Sequence, residues 1–229
     1  MKTTLALLAL AVVQSQAAIT FTLPGNSESA AFTSLNNIKY PSSAGWRNFG
    51  ENLLSPLNGT TPTLNVTADV GSTLSGEFNK VSGGGYFSSS SIYNFGTPGT
   101  LRIFDSSAIA SLETVIFQAD LGSLLAGLPT LNYNGGTQAL APGFQTTAPG
   151  DFISGFGGPP APTTNYAWQW DLSALGATSY EINFGTIAHG TIYRLDLAAG
   201  DSFTQVIPEP SSLMFAALGA FAFTRRRRG

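Results

Sequence analysis

Apolar and polar side chains alternate with a period of two along most of this 229-residue chain, a pattern that suits half-buried strands and little else. Residues 63–70 show it cleanly: Leu64, Val66, Ala68 and Val70 fall on one face and the polar side chains on the other. Similar stretches cover residues 19–23, 73–81, 86–95, 100–104, 112–120, 130–133, 166–172, 180–184, 191–197 and 202–207. Turn chemistry lies between them, at Asn58-Gly59, Gly83-Gly84-Gly85, Pro98-Gly99, Asn134-Gly135-Gly136 and Gly157-Gly158-Pro159-Pro160. About ten strands spaced about ten residues apart, with no convincing amphipathic helix, predict an all-β body built as an antiparallel β-sandwich or jelly roll. A parallel β-helix would need a fixed repeat period, and the sequence shows none. Residues 139–164, with Pro142, Pro149, Pro159, Pro160 and Pro162 among many glycines, read as a long surface loop where a binding edge could lie.

The two ends of the chain follow different rules. Lys2, nine apolar residues at 5–13 and the small-residue stretch Ser15-Gln16-Ala17 have the order of a secretory signal peptide, with cleavage expected after Ala17. At the other end Ile207-Pro208-Glu209-Pro210 leads into an apolar run and then Arg225, Arg226, Arg227 and Arg228. Residues 211–224 span only about 21 Å as a helix, against about 30 Å of hydrocarbon, so this transmembrane helix is short for a permanent anchor. Each arginine costs roughly 2.5 to 3.5 kcal/mol at a helix centre, so the four form a cytoplasmic stop. Two prolines keep the apolar helix from extending backward and hold Glu209 in an extended, accessible segment outside the membrane. The chain is thereby read as a signal peptide (1–17), a β-sandwich body (18–206) and a sorting tail (207–229).

This tail resembles the PEP-CTERM sorting signal of exported bacterial proteins, which combines a Pro-Glu-Pro motif, a short apolar helix and a terminal arginine cluster. The resemblance covers Pro208, Glu209 and Pro210, residues 211–223, and Arg225 to Arg228. It implies processing by an exosortase, a membrane-embedded enzyme of Gram-negative bacteria that make exopolysaccharide, and it implies an address without an activity. The closing strands of the body, Tyr166-Ala167-Trp168-Gln169-Trp170-Asp171-Leu172 through Gly200-Asp201-Ser202-Phe203, are similar to those that precede the signal in many uncharacterised proteins of this kind.

The body itself carries few chemical signals. Between residues 18 and 206 five basic side chains face twelve acidic ones, a net charge of −7 that gives no nucleic-acid footprint. The absence of cysteine and the single histidine, His189, exclude a Cys/His zinc site and a cysteine nucleophile, and no cofactor motif is present. His189, in a Gly-flanked turn, reads as a turn or packing residue, because a general base would need a partner that the sequence does not place. Trp168 and Trp170 share a strand face; core is the simplest reading, and exposure in a shallow groove would let them stack on sugar rings. Asp171 with Glu181, or Asp196 with Asp201, would serve a glycosidase only if they faced one another across a cleft.

The leading expectation is an exported, non-enzymatic cell-surface or matrix protein. Signal peptidase, an exosortase-type enzyme, the membrane and exopolysaccharide are its expected partners. A carbohydrate-binding sandwich is the alternative, and a glycan-cleaving enzyme comes third.

Overall fold

The computed structural model describes residues 19–32, 66–84, 86–87, 91–94, 96–154 and 160–207. The signal peptide 1–17, Pro208, Glu209, Pro210 and the arginines 225–228 lie outside the described residues. Within them the chain is all-β, without a helix. The strands are β1 Ser27–Phe32, β2 Val66–Thr67, β3 Glu77–Gly83, β4 Tyr86–Phe87, β5 Ile92–Tyr93, β6 Gly99–Asp105, β7 Thr114–Leu121, β8 Thr130–Tyr133, β9 Phe144–Ser154, β10 Pro160–Asp171, β11 Tyr180–Thr186 and β12 Thr191–Gly200.

They form two antiparallel sheets. The first has the order β4-β5-β12-β7-β10-β9, with β1 also paired to β12, and the second runs β2-β3-β6-β11-β8. The pairing is nested along the chain. The first described strand pairs with the last, β1 with β12, while β6 pairs with β11 and β7 with β10. Cross-pairing of β12 with β7 and of β11 with β8 then joins these ribbons into sheets.

Strict alternation on β6 and β11 sends Leu101, Ile103, Ile182 and Phe184 inward, as a sheet with one solvated face requires. On β7 the inward set is Val115, Phe117, Ala119 and Leu121. Phe117 carries the contact between the sheets, its ring 5.1 Å from that of Phe184 and 5.5 Å from Trp168. Phe32 of the first sheet meets Phe78 of the second at 6.5 Å. Burying each of these large side chains contributes about 1.5–3 kcal/mol, which is how a cysteine-free body can hold two sheets together.

Several sequence expectations change; residues 86–95, expected as one strand, contain the two short strands β4 and β5 paired with each other. Residues 63–70 are expected as one strand, but among the described residues only Val66–Thr67 pairs, because the chain turns at residues 69–72 and leaves Val70 fully exposed. Residues 19–23 and 202–207 alternate like strands, yet neither joins a sheet. Both instead lie against the outer face of the first sheet, where Ile19, Phe21, Leu23, Val206 and Ile207 pack on Ile116, Ala167 and Ala198.

The expected loop over 139–164 is largely β9 and the start of β10, paired with each other. Pro149 is tolerated there because β9 is an edge strand, and Pro162 because the register breaks beside it, between Pro162 and Thr164.

Candidate functional site

The place where the sorting tail leaves the body is built around Gln169. It lies on β10 opposite Ile116 of β7 and Phe144 of β9, on the outer face, while its neighbours Trp168 and Trp170 point inward. Although outward-facing, Gln169 is fully buried, because residues 203–207 cross over it. Its Nε2 donates to Thr114 Oγ1 at 3.1 Å and to the Thr204 carbonyl at 2.7 Å. Its Oε1 accepts from the backbone N–H groups of Val206 at 3.0 Å and Ile207 at 3.3 Å. The primary amide thus satisfies two donors and an acceptor of a segment that has no strand partner.

Ile207, the residue before Pro208, is itself fully buried. Upstream, the Glu113 carboxylate accepts from Phe203 N–H at 3.2 Å, and the Phe203 ring stacks on Phe144 at 6.0 Å.

The N-terminal segment is fastened to the same region. Asn26 donates from its backbone and its side chain to the two oxygens of Asp201, at 2.9 and 2.7 Å, and Ser202 Oγ donates to the Pro24 carbonyl at 3.1 Å. Gly25, at a φ of +70°, permits this clasp: a Cβ there would run into Asp201 Oδ1.

Trp168 and Trp170 are core residues, 3% and 2% exposed. Trp170 Nε1 donates to the Leu140 carbonyl at 3.0 Å, and the Trp168 ring stacks on Tyr166 at 5.6 Å as well as on Phe117. The exposed arrangement that sugar stacking by this pair requires is therefore not met. A cleft of about 610 Å³ does open beside them, between Tyr166 and Trp168, the rim residues Gln145 and Thr147, and Leu124 and Leu128 of the β7–β8 connection. Among the described residues no charged side chain lines it, and Leu124 and Leu128 are 64% and 55% exposed.

His189 occupies the turn before β12 at a φ of +59°, and its Nδ1 lies 2.8 Å from the Tyr93 hydroxyl. The carboxylates weighed as acid and base are held in local structure. Arg102 bonds Glu181 at 3.0 Å, and Asn132 and Asn183 donate to the other oxygen. Burial alone would push the Glu181 carboxyl up, but these donors and the guanidinium together hold it below the usual range. Asp196 shares two hydrogen bonds with Arg194, yet burial outweighs them and leaves its carboxyl raised. Asp171 accepts from Ser173, and Asp201 from Asn26.

Gln169 is the residue that the sequence reading misses. A polar side chain between two core tryptophans reads as a solvent-facing strand position, and only the crossing of residues 203–207 makes it an interior one.

Fold and exit site together define, among the described residues, an all-β body of two antiparallel sheets whose last described residue, Ile207, is buried against the outer face of the first sheet. Residues 206–228 match the PEP-CTERM protein-sorting motif, which implies export, membrane anchoring before processing, and processing by an exosortase. No curated protein and no solved structure matches the chain.

Proposed function

We propose that the chain is a non-enzymatic surface or extracellular-matrix protein of a Gram-negative bacterium, delivered through its sorting tail and associated with exopolysaccharide. Its two sheets are read as a jelly-roll sandwich, from the nested pairing of β1 with β12, β6 with β11 and β7 with β10. The observation that carries the proposal is the sorting motif at residues 206–228, set directly after a body whose candidate acid–base pairs are tied into side-chain contacts. Signal peptidase would remove residues 1–17, and the exosortase would cut the tail.

Intact-mass analysis of surface and secreted fractions, with and without the processing enzyme, tests this. The mature protein is expected to lack Arg225 to Arg228 only when the enzyme is present. Retention of that cluster in both strains would refute the sorting reading.

The cleft beside Tyr166 supports a second reading, a carbohydrate-binding module for a neutral glycan, since an aromatic floor with amide and hydroxyl groups at the rim matches the faces of a sugar ring. Titrating the processed protein with a soluble neutral β-glucan should show saturable binding that Tyr166→Ala weakens at least about tenfold, the equivalent of 1.4 kcal/mol. Binding unchanged by that substitution would exclude the cleft.

A further inference from the structure

We propose that Gln169 is a positioning residue for tail processing: it sets the boundary between body and removable tail at Ile207, so that residues 202–207 stay docked as part of the mature fold. The inference rests on the exosortase reading and deepens it.

The segment leading to the tail has no slack. Val206 and Ile207 hand their N–H groups to the Gln169 carboxamide, Thr204 takes a hydrogen bond from it, and Ile207 is buried against Ile116 and Ala167. The next residue is Pro208, where the Pro-Glu-Pro motif begins. A processing enzyme needs extended backbone free of other hydrogen bonds, and Phe203, Thr204, Val206 and Ile207 each have a backbone group already bonded to a side chain of the body. The grip depends on one side chain. A leucine at 169 would fill a similar volume while leaving the Val206 and Ile207 donors and the Thr204 acceptor without the partner they have now, which is costly for groups kept out of water. The segment would then lift from the sheet to find water.

The clamp can be examined first without a variant. Hydrogen exchange on the purified full-length body should find the amides of Val206 and Ile207 slowed at least about a hundredfold relative to an unstructured chain. Exchange at the unstructured rate would overturn the proposal. Intact mass of the surface fraction then reads the boundary. The wild type should give one product that keeps Ile207, whereas Gln169→Leu should give ragged ends extending upstream of Thr204.

Leu101→Ala, which loosens the core from the opposite sheet, is the control and should keep the wild-type boundary. Equal raggedness in both variants, or a wild-type product ending before Thr204, would sink the positioning role. If no cut occurs at all, the sorting reading fails, while the exchange rates still decide whether the clamp exists.

Discussion

Lys80 shows how far a single side chain can work against its surroundings. It is 5% exposed in the middle of β3, and its Nζ donates to the Gly83 carbonyl at 2.7 Å. Burial lowers its pKa from 10.5 to about 8. The folded state therefore binds its proton less tightly than the unfolded chain does, so stability should rise as pH climbs from about 8 toward 10.5. Lys80→Met is expected to stabilise the body at pH 7 by about 1–3 kcal/mol, with the gain gone near pH 10.5; urea melts of both proteins at the two pH values check this. Trp170 is the opposite case, a large side chain fully used by the fold. Trp170→Ala should cost about 3–5 kcal/mol by leaving a cavity and removing the indole hydrogen bond to the Leu140 carbonyl, as read from the shift in the urea midpoint. The sequence alone places both tryptophans on one face, because alternation fixes side, and makes core the simplest reading of that face. It could not place Gln169, whose burial comes from a segment 35 residues further along the chain.

Strands were legible where one face meets the core and the other meets water. β8 coincides with residues 130–133, and β11 and β6 extend the expected segments by a residue or two at their ends. Residues 19–23 and 202–207 carry the same alternation because one side of each also lies on apolar surface, and no local signal tells docking from strand pairing. The β9–β10 hairpin was hidden for the converse reason: proline and glycine advertise a loop, while edge position and a bulge remove the cost of both prolines. At this scale the close approach of β3 and β6 gives a test. A Cβ on Gly99 would collide with the Gly84 carbonyl oxygen and lie 3.2 Å from Thr186 Oγ1, so the strands must part to admit it. Gly99→Ala should destabilise the body by about 1–3 kcal/mol, measured by urea unfolding, and leave tail processing unchanged.

For the molecule as a whole, the acid side of the stability curve follows from its buried carboxylates. Burial raises the pKa of Glu28, Asp105, Asp120 and Asp196 above ordinary values of 4.5 for Glu and 3.8 for Asp. A raised carboxyl takes up its proton in the folded state first, so the fold gains stability as pH falls from neutral toward those ordinary values. Glu181 opposes this, since its lowered carboxyl loses stabilising partners as pH falls through its own folded value. With four groups against one, the urea midpoint followed by tryptophan fluorescence is expected to be higher at pH 5 than at pH 7.5. A lower midpoint at pH 5 would contradict this account of the buried acids. The net charge of −7 on residues 18–206 points the same way, because protonation relieves self-repulsion.

The path of the chain from Ile207 back through Asp201 into β12 also decides how mechanical load enters this protein. A pull on the tail meets the carboxamide of Gln169 first, and then a strand flanked by β1 and β5 on one side and β7 on the other. Tension therefore spreads sideways through the middle of the sheet, where neighbours on both sides resist shear, and does not peel a strand from the rim.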